Sequence, residues 1–79
     1  MKIVFETEHY SLKIPSPHTV WLHADEGKRN LELHGTEAWG IFGTLSAIWS
    51  RHKAGEMSID EVDRACEVLI ENTLRNYII

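Results

Sequence analysis

The feature that most constrains this chain is a change of period. Up to His34 the apolar residues recur at every second position, and from Ala38 onward they recur at intervals of three and four. Alternation fits half-buried strands, whereas spacing of three and four fits amphipathic helices. The switch falls at Gly35-Thr36, so the strands come first and the helices second. That segregation predicts an α+β domain in which two helices cover one face of a small antiparallel sheet.

Ile3 and Phe5 fall on one side of the first extended segment, with Lys2, Val4 and Glu6 on the other. Tyr10, Leu12 and Ile14 then alternate with Ser11 and Lys13. The joint Glu6-Thr7-Glu8-His9 lacks Gly and Pro, so a tight hairpin and one long bulged strand both fit, and the sheet has three to four strands. Pro15-Ser16-Pro17 ends the run, because proline supplies no ladder donor and restricts the residue before it. Next comes HTVWLHADEGKRNLELHG, a hairpin turning at Asp25-Glu26-Gly27-Lys28, with Gly27 free to take positive φ. A four-residue loop pairs Leu22 with Leu31 and Val20 with Leu33, leaving Trp21 opposite Glu32. A three-residue loop with a bulge would group Trp21, Leu31 and Leu33 and oppose Leu22 with Asn30. The first register is preferred because it exposes fewer aliphatics, and a one-residue slip would exchange every face. Strands are expected at about 2–7, 9–14, 19–24 and 29–34.

Thr36 is the expected N-cap of the first helix, with Glu37 favourably placed in its first turn. Ala38, Ile41, Phe42, Leu45, Ile48, Trp49 and His52 share one side at helical spacing. Arg51, His52 and Lys53 place positive charge at the far end, and Gly55 fits a left-handed stop, so this helix should span about 37–54. Ser58 and Glu61 have capping-box spacing, with Met57 placed to staple onto Val62. Ile59, Val62, Cys66, Leu69, Ile70, Thr73 and Tyr77 mark one face of a second helix over about 59–77. Asp60–Arg64 and Glu71–Arg75 are acid-before-base pairs four residues apart. The short connection makes the two helices antiparallel neighbours.

A chain of 79 residues forms a single domain, 1–79, and one this short buries only about 60–65 % of its unfolded surface. Cys66 is the lone cysteine, which excludes an internal disulfide. No apolar run approaches the ~20 residues that cross a bilayer. The N-terminus is acidic where a signal peptide would be apolar, so a cytoplasmic, membrane-free location is expected. The net charge is −4, with no clustered basic face, which argues against direct nucleic-acid binding.

Five histidines raise the question of a metal, but none has HExxH or HxH spacing and no second cysteine helps. The preferred hairpin register sets His23 against Asn30 and His34 against Thr19, too far apart to share an ion. Cys66 lies on an apolar helix face and reads as a small buried hydrophobe. No nucleophile elbow, phosphate loop or dinucleotide fingerprint occurs. Gly40-x-x-Gly43 lies mid-helix, where the N–H groups are committed to the ladder. No catalytic, cofactor-binding or metal-binding residue is therefore assigned, and an enzyme is not expected.

Two features remain. AWGIFGTLSAIWS, residues 38–50, carries no charged side chain. On a helical wheel its bulky residues fill one arc, while Gly40, Gly43, Thr44 and Ala47 fill the opposite one, with Trp39 on the flank. Two mid-helix glycines cost about 1 kcal/mol each relative to alanine. A stripe of small residues admits another backbone, and tryptophan is a common anchor of binding energy. This arc is read as a contact surface for a second copy or a partner. The competing reading is a plain exposed face, or glycines that let a loop or chain end cross over. The second feature is the acidic set Glu56, Asp60, Glu61, Asp63, Glu67 and Glu71, read either as solvated surface or as a docking face for a basic partner.

Together these features predict a small acidic protein–protein interaction module, expected as a homodimer, that inhibits or regulates a partner by occupying its basic, nucleic-acid-binding surface. In size, acidity and lack of chemistry the chain is similar to compact inhibitors such as phage anti-CRISPR and anti-restriction proteins or bacterial immunity proteins, a likeness that no motif carries. The alternative is a structural or assembly subunit that self-associates through helix 37–54.

Overall fold

A computed structural model describes residues 2–77. Strands β1 (Lys2–Glu6), β2 (Tyr10–Ile14), β3 (Thr19–Ala24) and β4 (Arg29–His34) form one antiparallel sheet in the order β1-β2-β3-β4. Helices α1 (Thr36–Lys53) and α2 (Ile59–Tyr77) follow. The architecture is the α+β arrangement anticipated from the change of period.

The joint left open in the sequence is a hairpin. The Thr7 N–H donates to the Tyr10 carbonyl at 2.8 Å, while the Thr7 hydroxyl accepts the Tyr10 N–H at 3.3 Å. A polar side chain here supplies the turn chemistry that glycine would otherwise provide. β1 also carries a bulge, since the pairing moves from Ile3–Lys13 directly to Phe5–Leu12. The side-chain orientations expected for Lys2, Ile3 and Val4 lie outside the described residues.

β3 and β4 adopt the four-residue-loop register: Leu22 opposes Leu31, Val20 opposes Leu33, and Trp21 opposes Glu32. Gly27 takes φ +90° as expected, but Asp25 (φ 53°) and Glu26 (φ 57°) are left-handed too. The loop is thus a short 3-10 turn, Asp25–Gly27, closed by Lys28 N–H donating to the Asp25 carbonyl at 3.1 Å.

The α1 start differs from expectation. The residue before the helix is Gly35, at φ 60°, and Thr36 lies inside the helix without capping it. The cause is a sharp strand-to-helix turn: Gly35 N–H still donates to the His18 carbonyl at 2.9 Å, while its own carbonyl accepts the first helical bond from Trp39 N–H at 3.0 Å. The far end matches expectation. Gly55 at φ 80° places its N–H on the His52 carbonyl (3.0 Å) and the Glu56 N–H on the Arg51 carbonyl (2.9 Å), a Schellman closure. His52 Nδ1 lies 2.9 Å from the Met57 carbonyl, and since a carbonyl only accepts, Nδ1 carries the proton. The capping box of α2 forms in both directions, Ser58 N–H to Glu61 Oε1 (3.1 Å) and Glu61 N–H to Ser58 Oγ (3.2 Å).

Phe5, Leu12, Val20, Leu22, Ala24 and Leu33 of the sheet meet Ala38, Ile41 and Leu45 of α1 and Val62, Cys66, Ile70 and Leu74 of α2 in one core. α1 lies over β3 and β4, and α2 over β2, β3 and β4. Two residues assigned to the buried face of α2 are corrected: Ile59 and Tyr77 are each about half exposed. They are the first and last residues of the helix, while Leu74 takes the buried position instead. Among the described residues no helix covers the opposite face of the sheet, with Lys13, Trp21 and Glu32; the Trp21 and His23 rings meet there at a tilt, with centroids 4.5 Å apart.

Candidate functional site

The uncharged arc of α1 points away from the core. Gly40, Gly43, Thr44 and Ala47 are all exposed, and Trp39 retains 57 % of its surface. A methyl group built on Gly40 or Gly43 would meet nothing within 4 Å. No described segment of the chain crosses over these glycines. The Thr44 hydroxyl turns back on its own helix and donates to the Gly40 carbonyl at 3.2 Å. Trp39 is steadied on two sides, by Phe42 (edge-to-face, 5.8 Å) and by His18 (5.4 Å). His18 holds a left-handed backbone (φ 66°) just before β3, and no spacing in the chain announces this partnership.

The six acidic residues differ in their surroundings. Glu56 and Asp60 are exposed, Asp63 and Glu67 are half-buried, and Glu61 is engaged in the cap. Glu67 accepts a bond from the Thr7 hydroxyl at 3.2 Å. Glu71 is enclosed by partners: Arg29 grips both carboxylate oxygens at 2.8 and 2.9 Å, the Tyr10 hydroxyl donates at 2.8 Å, and Arg75 approaches at 3.0 Å. Arg29, then Tyr10, hold the Glu71 carboxyl down at a pKa of about 2. The same bond pushes the Tyr10 hydroxyl above its ordinary pKa. Arg29 also pairs with Asp25, so the clasp joins the 3-10 turn, β2, β4 and α2. Sequence reading found the Glu71–Arg75 pair but missed Tyr10 and Arg29, which are remote in the chain. Asp60 and Arg64, both exposed, form no ion pair among the described residues. The carboxylates outside the clasp and the capping box are therefore Glu56, in the connection before α2, and Asp60, Asp63 and Glu67 on α2 itself, with Arg64 among them.

Two open recesses accompany these surfaces. One of about 270 Å³ lies between the β1–β2 turn and the 3-10 turn, bordered by Glu6, Glu8, His9, Lys13, His23 and Glu26. His23 Nε2 is buried beside it with no hydrogen-bond partner among the described residues, and burial, then the Lys13 charge, lowers the His23 pKa. The other, about 150 Å³, lies along α2 beside Val68 and Arg64. Both are smaller than the roughly 300–1,000 Å³ of ordinary ligand pockets. His34 is held between the Thr19 hydroxyl (3.2 Å) and Glu32 (2.9 Å), on the Asn30–Glu32–His34 side of β4. Among the described residues, no group of three or more His, Cys, Asp or Glu side chains could hold a metal ion. The Cys66 thiol is buried, and burial, reinforced by Asp63, pushes its pKa up, away from the thiolate that nucleophilic chemistry needs. Among the described residues, no helix is long and apolar enough to cross a membrane. The chain matches no family model, and neither a curated protein nor a solved structure is significantly similar to it.

Proposed function

We propose that this protein works by contact with another protein, as an inhibitor or regulator that covers a basic, nucleic-acid-binding surface in the cytoplasm. The observation that carries the reading is the outward face of α1, where a 57 %-exposed Trp39 stands beside glycines with open space above them. An exposed indole flanked by small residues offers a large apolar contact at little conformational cost. The free carboxylates of α2 supply the sign of the partner, because charge complementarity speeds encounter and rejects wrong partners.

Capture from the native host, at low and at high salt, tests the reading. The expected result is a basic nucleic-acid-binding protein retained at low salt and released by salt. Its capture is lost with Trp39→Ala and weakened when Asp60, Asp63 and Glu67 are changed together to Lys. Retention indifferent to salt and to both variants removes the proposal. The second reading, an assembly subunit joined through α1, is favoured by the same open glycines. Gly43→Arg would then lower the sedimenting mass.

A further inference from the structure

Among the described residues β4 is an edge strand, paired only with β3. The bond from Gly35 N–H to the His18 carbonyl fixes which of its backbone groups are free, because these residues continue the β3–β4 register. Bonded and non-bonded pairs alternate along an antiparallel ladder. Leu33–Val20, Leu31–Leu22 and Arg29–Ala24 are therefore the bonded pairs. Asn30, Glu32 and His34 turn both their N–H and their C=O groups away from β3. The neighbouring ladder agrees: Asp25 N–H donates to the His9 carbonyl, so His23 and Trp21 face β2.

The two edges of the sheet are unequal. β1 is interrupted by a bulge, a device that blunts an edge against further pairing. β4 pairs with β3 at all six of its residues without a break, and contains no proline or lysine. Such an edge is a template for another strand.

We propose that β4 pairs antiparallel with β4 of a second copy, making one continuous sheet through two molecules. The sequence of the strand selects the register. A twofold axis at Leu31 sets Asn30 opposite Glu32 of the other copy, twice, with each amide able to donate to the facing carboxylate. The half-buried Leu31 then meets its own counterpart on the helix side, at the closer, non-bonded position of the ladder. Moving the axis by one residue, to Glu32, keeps the outward groups paired but opposes two carboxylates, which disfavours it. The pairing is isologous, consumes both regular edges and leaves only bulged ones outside, so it closes at two copies rather than growing into a fibre. This surface is distinct from the outward face of α1 and does not depend on the proposed function.

Sedimentation equilibrium of the full chain, combined with amide hydrogen exchange, tests it. The expected result is a dimer in which the Asn30 and Glu32 amides are protected increasingly as protein concentration rises. Asn30→Asp places like charges opposite each other twice and should weaken the dimer roughly tenfold, whereas Asn30→Lys should strengthen it. Both substitutions lose the same local bond from the Asn30 amide to the Gly27 carbonyl, so opposite signs isolate the contact between copies. Glu32→Pro removes one outward donor and should abolish association. A chain that stays monomeric overturns the proposal, as does a dimer whose Asn30 and Glu32 amides exchange freely. A dimer insensitive to both Asn30 variants but dissolved by Gly43→Arg also overturns it and assigns the contact to α1.

Discussion

Glu71 accepts from its helical neighbour Arg75 and, more closely, from Tyr10 of β2 and Arg29 of β4. A carboxyl held at about 2 stabilises the fold fully above its ordinary range, and that contribution is lost as pH falls from the ordinary value towards about 2. Glu71→Gln should therefore lower stability at neutral pH. The gap from the parent should close progressively in acid, to be followed by urea titrations at a series of pH values; a gap independent of pH would remove the clasp from the account. Ser58→Ala breaks one arm of the capping box and should cost about 1 kcal/mol. Glu26 holds a left-handed backbone that costs an ordinary residue about 1–2 kcal/mol. Glu26→Gly relieves it, less the entropy glycine adds to the unfolded chain, so a net gain of about 0.5–1 kcal/mol is expected in denaturant unfolding.

Elements were legible where one physical requirement left a single solution. In the β3–β4 hairpin only the four-residue loop turns Val20, Leu22 and Leu33 to a common side, and those three are 0 %, 0 % and 4 % exposed. The stop at Gly55 and the start at Ser58 were legible because each is a local bonding pattern contained within a few residues. What failed was set by distant geometry. Thr36 looked like a cap, yet the chain needs Gly35's left-handed turn to leave the sheet. Ile59 and Tyr77 obey the helical period but are the first and last residues of α2, and each is about half exposed. The outward arc of α1 was legible from helical spacing, whereas the packing of Trp39 against His18 joins α1 to the residue before β3 and requires the fold. Since Leu12 and Ile70 are fully buried on facing elements, Leu12→Ala or Ile70→Ala should each cost about 2–5 kcal/mol by chemical denaturation.

At the scale of the molecule, the protein is a sheet with one covered face, and its hydrophobic interior is a single layer. A core this thin leaves little reserve, which suits a chain whose remaining surfaces, the α1 arc and the β4 edge, are open for company. The Cys66 thiol, 1 % exposed, sits inside that layer between α2 and the sheet. A water-soluble disulfide reagent can reach the sulfur only when α2 lifts, so the chain carries its own clock for the opening of its two layers. The rate of colour release should be slow in the parent and rise in Ser58→Ala. Any stable association that holds the layers shut should slow it further, which would make one sulfur atom a reporter for partners that touch the molecule elsewhere.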